Sequence, residues 1–508
     1  MLFEQQETLR VRALLEQQTR RFNAGDLALL IKSAKRWKPQ GFDSHIAGVR
    51  KRYMGRQQDL VRAALRRRFP RTYQRMPCTP LSLLRFIASQ DAAVYKAPPE
   101  RPLALDGRDL PDEDERVMRY HGQLGQLAVL MPEVERRAIA AKQSLLHVTW
   151  STTSARLVLR MYWPDHVDVL PHQSAPTDLD QAVALIARVV SPDGVVSEDE
   201  WYQVWTRAVE EEPDGTPRSF GPWQVRLMSR SGNASAASAE TYAGERFPWL
   251  IYRTGIAQGS PWIDEDRDLV DVIDEFNVSR SNEMYTQDLQ GHTQLVYAGH
   301  QADVAELVIG PDELLKIGPG ETAIALDFHP KLSDMREGRK LHLRELATSR
   351  RNSPYAYVQD QQVVESGVAR MMANIPHDEM LDEMVEFAVD FESQLLPTLV
   401  DVHDTFAPGE PIHVEGATYA MRPRRRPLPE DPEGRQRRLI EAKDEGGITE
   451  ARAWTEAGYY RSVEEAVRAG LSDDLTAGRP APPPGQEGGT LADRLRQRLT
   501  APPASEES

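Results

Sequence analysis

The sequence WIDEDRDLVDVIDEFNVSRSNEMYTQDLQ, residues 262–290, begins the part of the chain that decides the fold. Its apolar residues recur at helical spacing, which predicts a helix about 42 Å long at roughly 1.5 Å per residue. The residues on this apolar face are Leu269, Val272, Ile273, Phe276 and Met284. Carboxylates crowd the first turns of the helix in larger numbers than a favourable contact with the helix dipole requires.

Short strand-like runs follow this helix, and a second helix then brings the chain back. The runs include QLVYAG at 294–299 and ELLKIGPGETAIALDF at 313–328. Gly-Pro-Gly at 318–320 lies between strand-like runs, which favours a hairpin turn over a phosphate-binding loop. The returning helix is predicted at 331–350. Its apolar side is formed by Leu332, Met335, Leu343 and Leu346.

The returning helix also carries a row of basic residues, Arg336, Lys340 and Arg344, spaced at i, i+4 and i+8. Like charges at this spacing destabilise an isolated helix by a few tenths of a kcal/mol per pair, so opposite charge is expected nearby. This opposite charge has two possible sources. One is the acidic helix 264–288, from the same subunit or a neighbour, and this source is favoured. The other is DNA phosphate, and both can apply at different positions.

A loop and a long amphipathic helix are predicted after the basic row. The segment SRRNSPYAYVQDQQ at 349–362 combines turn residues with a proline, which is typical of a loop. Residues 363–404 then resume a helical pattern, in which Pro376 is expected to start the main segment and Pro397 to kink it. The apolar stripe consists of Leu381, Met384, Val385, Ala388, Phe391, Leu395 and Leu399.

The first 75 residues read as helical and locally basic. The basic residues are Arg50, Lys51, Arg52, Arg56, Arg62, Arg66, Arg67, Arg68, Arg71 and Arg75. Such a cluster is either a nucleic-acid patch or a helical face that contacts solvent or another subunit. The second interpretation is favoured. A net charge of −15 argues against a protein that binds nucleic acid over a broad basic surface.

Helices at 80–97 and 115–142 precede a change of period near residue 145. From there, short runs rich in Val, Trp, Tyr and Thr alternate with turn residues. They predict an antiparallel meander with Pro-Asp-Gly turns at 192–194 and 213–215.

The carboxyl-terminal part begins with a strand-like piece, IHVEGATYAMRPR, at 412–424. A helical pattern is predicted from about 434 to 470, with Ser462 and Glu465 as a capping box. The Pro-rich composition from about 479 onward is typical of disorder.

Composition and motifs exclude several classes of protein. The chain has 508 residues, which predicts at least two subdomains, and no apolar run long enough to span a membrane. The start of the chain lacks an apolar signal core, and Cys78 is the one cysteine, so we expect no secretion and no disulfide. No Gly-Lys dipeptide, G-x-S-x-G or H-E-x-x-H motif occurs. We therefore expect no catalytic residues, no cofactor and no metal; His292 and His300 are read as ordinary histidines.

Several stretches, in a fixed order, resemble the portal proteins of long-tailed (siphovirus-like) bacteriophages. They are YMGRQQDL…YKAPPE at 53–100, HVTW with ARLVLRMYWPDHVDVLPH at 147–172, GSPWIDEDRD…LVYAGH at 259–300, DQQVVESGVARMMANI at 360–375 and GGITEARAWTEAGYYRSVEEAVRAGL at 446–471. The resemblance covers most of residues 50–471. It departs from the family at residues 1–45 and in the Pro-rich tail.

The resemblance implies an α+β, portal-type fold with a mixed wing domain, a two-helix stem, a small β-rich clip and an α-helical crown. The implied layout is 1–262 N-terminal helices and wing, 263–290 stem helix, 291–330 clip, 331–348 stem helix, 349–362 tunnel loop, 363–428 wing spine helix and strand, 429–478 crown and 479–508 largely disordered tail.

The family further implies a homo-oligomeric ring, usually dodecameric, that conducts double-stranded DNA at one capsid vertex of the virion during packaging and ejection. The ring would assemble in the host cytoplasm and contact the terminase large subunit, the major capsid protein and a head–tail adaptor. Candidate residues facing the DNA channel are Arg336, Lys340, Arg344, Arg350, Arg351 and Asn352. The alternatives are a metal-dependent DNA-processing enzyme and a head–tail adaptor of a phage particle.

Overall fold

A computed structural model describes most of the chain up to residue 423. The described residues are 10–11, 13–15, 22–189, 200–212, 216–230, 239–264, 267–290, 294–298, 322–326, 332–353, 357 and 367–423. The chain divides into two compact units, Met1–Arg424 and Arg425–Ser508. The predicted crown at 429–478, the tail and both Pro-Asp-Gly turns lie outside the described residues.

The helices form where the sequence has an apolar stripe of helical period. They are α1 (Ala24–Lys35), α2 (Phe42–Tyr53), α3 (Gln58–Arg68), α4 (Leu83–Asp91), α5 (Glu115–Leu124), α6 (Leu127–Ala141), α7 (Arg267–Gln290), α8 (Leu332–Ser349) and α9 (Gly367–Phe406). The stretch predicted at 115–142 is therefore two helices, which separate at Gly125. The prediction that Pro376 starts the main segment of the last long helix is wrong, because α9 is one helix from Gly367 to Phe406 that runs through both of its prolines.

The strands are short and pair antiparallel throughout the described residues. They are β1 (Leu103–Leu105), β2 (Arg108–Asp109), β3 (Gln143–Ser151), β4 (Arg156–Tyr162), β5 (Val167–Leu170), β6 (Ala184–Arg188), β7 (Trp201–Thr206), β8 (Val209–Glu211), β9 (Pro217–Phe220), β10 (Gln224–Ser229), β11 (Glu240–Thr241), β12 (Trp249–Arg253), β13 (Gln294–Ala298), β14 (Thr322–Leu326) and β15 (Ala417–Tyr419). The described part is thus α+β, as predicted.

The predicted antiparallel meander is wrong in one respect, because its strands divide among three sheets. One sheet has the order β12-β3-β4, a second has the order β11-β10-β7-β6-β5, and β8 pairs with β9 in a third. The reason lies in β3, whose first six residues are all buried, between β12 and β4 in its sheet and against α6 and α9. Its polar residues Gln143, Ser144 and His147 are buried together with the apolar ones, so alternation in the sequence does not reveal how the strand is covered or which strands it pairs with.

The core consists of apolar clusters, and the two largest combine residues from helices with residues from strands. The largest cluster joins the apolar stripe of α9 to β3, β12, α6 and the first half of α7. A second cluster packs α1 against the five-stranded sheet. A third packs Val61 and Leu65 of α3 against Val278 of α7. Helix α7 therefore packs into two of the clusters, and these contacts fix its position in the fold.

Among the described residues, none of the helices has both the length and the apolar character needed for a membrane span.

Candidate functional site

Helices α7 and α8 lie side by side and are joined through one buried carboxylate. Glu283 of α7 accepts a hydrogen bond from Arg336 Nε at 2.6 Å, and Arg339 of α8 donates to its second oxygen. The Glu283 side chain is 7% exposed and that of Arg339 is 14% exposed. The Arg339 guanidinium also lies 5.6 Å from the ring centroid of Phe276 on α7. A buried carboxylate with two guanidinium partners is well compensated.

The two helices run in opposite directions. Arg336 is close to the start of α8 and binds Glu283, in the second half of α7, whereas Arg339, one turn later, lies over the earlier residue Phe276. Beyond this point the seam is apolar, since Leu343 and Leu346 of α8 join Ile273 of α7 in one cluster. Strands β13 and β14 follow and precede the two helices and pair antiparallel with each other. Together they form a helical hairpin that carries a two-stranded ribbon.

The basic row of α8 finds most of its opposite charge within the same chain. Arg336 is paired with Glu283, which confirms that the acidic helix supplies a counter-charge, and Lys340 lies 3.1 Å from Glu337 on α8 itself. Arg344 is half-buried on the same helix. Sequence reasoning missed Arg339, the more deeply buried partner of Glu283. The signal was available, because residues at i and i+3 lie on the same face of a helix.

Two carboxylates in the first half of α7 are paired with arginines of the basic N-terminal helices. Asp274 receives two hydrogen bonds from Arg52 of α2, at 2.8 and 2.5 Å. Glu275 receives two from Arg68 of α3, at 2.6 and 2.5 Å. Arg52 and Arg68 are therefore paired within the chain, which is neither the nucleic-acid patch nor the solvent-facing or subunit-contacting face that the sequence offered. These pairs fasten α7 to the helices that precede it.

A buried amide adds a neutral link at the same place. Asn277 of α7 accepts from the backbone N–H of Leu81 at 2.8 Å, and Gln57 donates to the Leu81 carbonyl at 2.6 Å. Both amide side chains are buried. Buried amides of this kind are costly unless they are hydrogen-bonded, so they fix the register of α7 against the segment before α4.

A second buried carboxylate, Asp91 at the end of α4, holds the start of the predicted tunnel loop. Asp91 is 1% exposed. It accepts from Arg350 Nε at 2.8 Å, from Asn352 Nδ2 at 2.8 Å and from the Tyr357 hydroxyl at 2.7 Å. Burial, and then the negative charge of Asp91, raise the pKa of the Tyr357 hydroxyl. Three described residues of the loop, Arg350, Asn352 and Tyr357, are therefore fixed to the end of α4.

Four of the six channel candidates fall into two groups in this structure, while Lys340 pairs with Glu337 and Arg344 is half-buried on the same helix. The side chains of Arg350 and Asn352 point inward to Asp91, and they are a positioning device for the loop. Arg336, at 54% exposed, and Arg351, at 51% exposed, keep much of their surface in solvent although each is paired with a carboxylate. Contact of any of the six with DNA stays a prediction.

Within the described residues, we find no group of three or more His, Cys, Asp or Glu side chains arranged to hold a metal ion. Some of the buried charges in this part of the chain are instead paired with each other. Arg101 donates two hydrogen bonds to Glu392 of α9, at 2.7 and 2.6 Å, and both side chains are buried.

The chain was also compared with known proteins. No protein-family model matches it, and neither does any curated protein. The solved structures to which the chain is similar include three from gene transfer agent particles. "Neck of empty GTA particle computed with C6 symmetry" has a TM-score of 0.40 at 13% identity, covering 77% of this chain and 90% of that chain. "Neck of native GTA particle computed with C12 symmetry" has a TM-score of 0.38 at 11% identity, covering 77% and 91%. "Virion of native gene transfer agent (GTA) particle" has a TM-score of 0.36 at 13% identity, covering 77% and 89%.

Proposed function

We propose that this chain is a portal-type subunit that assembles into a ring and conducts double-stranded DNA through a central channel at one vertex of a phage capsid. One observation carries the proposal: α7 and α8 form an antiparallel pair, joined at Glu283, which bears the β13–β14 ribbon. The sequence motifs that resemble portal proteins predict a stem, a clip and a second stem helix in this order.

The anchoring of α7 fits a channel wall. The pairs Arg52–Asp274 and Arg68–Glu275, together with Asn277, fasten its first half to the N-terminal helices. A wall that guides moving DNA has to be stiff, and buried or bidentate contacts along one helix provide that stiffness.

The distribution of charge suits conduction better than tight binding. Each phosphate that a protein neutralises adds affinity and salt dependence, so a channel rich in free cations would hold the duplex in place. Here the exposed Arg336 and Arg351 are each already paired with a carboxylate. In this proposal they make weak, exchangeable contacts with phosphate, while Arg350 and Asn352 position the loop.

In this proposal the chain has no catalysis of its own, and the β13–β14 region docks the terminase large subunit and later the head–tail connector. Incubation of the purified protein with duplex DNA and Mg²⁺ or Mn²⁺ tests this point. We expect no cleavage. Metal-dependent cleavage would favour the DNA-processing enzyme instead.

The experiment that tests the proposal is electron microscopy of the purified, full-length protein in negative stain. We expect ring-shaped particles with a central hole. A protein that stays monomeric, or that forms closed particles without a hole, would overturn the proposed function. A second arm replaces Arg351 with Ala in packaging extracts. Unchanged DNA packaging and retention would remove Arg351 from the channel but would leave the ring intact.

A further inference from the structure

One surface of α3 and of the turn after it is covered by arginines that have no described counter-charge. The exposed residues of this arginine face are Arg62, Arg66, Arg67, Arg71 and Arg75. Among the residues that the structure describes, none of the five forms an ion pair with a carboxylate. The opposite side of α3 is fully buried through Val61 and Leu65, so the helix itself is firmly held.

A surface of α9 carries the opposite charge. Its exposed acidic face consists of Asp378, Glu379, Asp382, Glu383, Glu386 and Asp390. Four of these residues are spaced at i, i+4, i+8 and i+12, a spacing at which like charges destabilise a helix. In the described part of the chain, Arg351 is the arginine that pairs with this face, through Glu383 at 2.7 Å. The acidic face therefore carries more negative charge than the described residues of its own chain neutralise.

The two faces do not meet each other within one chain. Both are exposed, and their helices pack into different apolar clusters: α3 packs with α7, and this part of α9 packs with β3 and β12. They are thus separate surfaces of opposite sign, each built on a helix that is buried on its other side.

We propose that the arginine face of one copy binds the acidic face of a neighbouring copy, as a head-to-tail contact in the assembled ring. The inference rests on the proposed function, which supplies the ring. Because the two faces differ, a copy that offers its arginine face to one neighbour keeps its acidic face for the next. Repetition of such a heterologous contact closes a ring when the rotation allows it.

Duplex DNA is the competing partner for the arginine face, since arginines also bind phosphate. A second copy accounts for more of the structure. One contact between copies neutralises both faces, whereas DNA would neutralise the arginine face and leave the carboxylates of α9 without a partner. Complementary charge of this kind also fixes the register between subunits.

The test uses charge reversal followed by mixing. The basic variant carries Arg62→Glu, Arg66→Glu and Arg67→Glu, and the acidic variant carries Asp382→Arg and Glu386→Arg. Native mass spectrometry measures the fraction of assembled protein. We expect each variant alone to assemble at least tenfold less well than the unmodified chain. An equal mixture should recover assembly, because every contact in an alternating ring is then complementary.

The mixing experiment also predicts the number of subunits in each recovered ring. Rings that recover by alternation contain equal numbers of the two variants, so their masses should correspond to even subunit counts. A matched control reverses three exposed arginines elsewhere, Arg108, Arg119 and Arg156, to Glu. This control has the same change of net charge as the basic variant and should assemble as the unmodified chain does.

Several results would overturn the inference while leaving the proposed function in place. One is normal ring assembly by both variants alone. Another is a basic variant that still forms rings but loses duplex binding, which would assign the arginine face to nucleic acid. If the unmodified chain forms no ring at all, the proposed function fails first.

A cross-linking experiment covers the case in which a charge variant does not fold. A single chain carries Arg66→Cys and Glu386→Cys, both at exposed positions, on a background in which the native Cys78 is replaced by Ser. A short bismaleimide reagent should join the assembled copies into a ladder of covalent oligomers, and either single cysteine variant should give no ladder. Assembled particles that yield no ladder would contradict the contact.

Discussion

Replacement of Glu283 by Gln should loosen α8 from α7. The substitution keeps the shape of the side chain but removes the charge that two arginines share. Because Glu283 is 7% exposed and Arg339 is 14% exposed, water replaces little of the lost interaction. The helices should therefore open more readily along their seam, while the rest of the chain keeps its fold.

The size of the effect follows from how buried each partner is. A hydrogen bond to a charged group contributes about 1.5–3 kcal/mol when it is shielded, and an exposed ion pair contributes about 0.2–1 kcal/mol. Arg339 belongs to the first class and the 54% exposed Arg336 to the second. Since Gln can still accept one hydrogen bond, we expect a cost of about 2–3 kcal/mol, or roughly 30- to 150-fold in an opening equilibrium.

Hydrogen exchange followed by mass spectrometry measures this opening locally, which matters because a chain of this size does not unfold in one step. The amides of α8 from Leu332 to Ser349 should lose protection in the Glu283→Gln variant. The matched control is Glu275→Gln on the same helix, whose carboxylate is 41% exposed and pairs with Arg68. That substitution should cost less than about 1 kcal/mol.

A double-mutant cycle adds a second check. Once Arg339 is replaced by Met, the further change of Glu283 to Gln should cost much less than it does alone, because the shielded partner is already gone. Equal effects of Glu283→Gln and Glu275→Gln on the exchange of α8 would refute the reasoning. So would full additivity of the two changes in the cycle.

Three further predictions concern buried polar groups. Asp91→Asn removes the charge that binds Arg350, so trypsin should cleave after Arg350 at least tenfold faster than in the unmodified chain. Burial lowers the pKa of His147 to about 3 from an ordinary value of 6.5, so its contribution to stability is complete above pH 6.5 and declines as the pH falls toward 3. Because the unfolded imidazole binds a proton in this range, the loss should be about 2 kcal/mol between pH 7 and pH 5, and His147→Phe should remove it from the thermal unfolding profile. Arg101→Met leaves the buried carboxylate of Glu392 without its charged partner and should lower the free energy of unfolding in urea by about 3–5 kcal/mol. The added change Glu392→Leu should restore most of this loss.

Each of these predictions has a control and a contrary result. Asp59→Asn breaks an exposed pair with Lys51 and should leave trypsin cleavage after Arg350 unchanged. Tyr162→Phe alters a ring packed on the same Trp249 as His147 but should keep the acid sensitivity, so a flattened pH profile in that variant would count against His147. A double variant at residues 101 and 392 that is no more stable than Arg101→Met would show that the buried charge is not the cause.

The periodicity of the sequence was sufficient to predict the two helices of the candidate site. Leu343 and Leu346 are buried as the apolar stripe of α8 indicated, and Ile273 is buried on α7. The pairing through Glu283 was not predictable in detail, since it depends on how far each helix is rotated about its axis. Arg336 and Arg339 lie on the same side of α8, and only the position of α7 decides which of them is shielded.

Long-range polar contacts were the part of the site that sequence patterns did not reveal. Asp91 and Asn352 meet across 261 positions of the chain. In the sequence, Asp91 is one acid at the end of an apolar helix, and nothing in its neighbourhood marks it as buried. The same holds for Asn277, which sits among charged residues on α7 yet accepts a backbone hydrogen bond from Leu81. Local period identifies elements, whereas such contacts follow from tertiary packing.

The assembled particle tests the central claim most directly. Cryo-electron microscopy of the purified full-length protein, at a resolution that locates helices, would show where α7 and α8 lie. We predict a closed ring in which both helices line a central hole wide enough for duplex DNA to pass. A particle in which residues 267–290 and 332–349 lie on the outer surface, or a chain that remains monomeric, would contradict the claim.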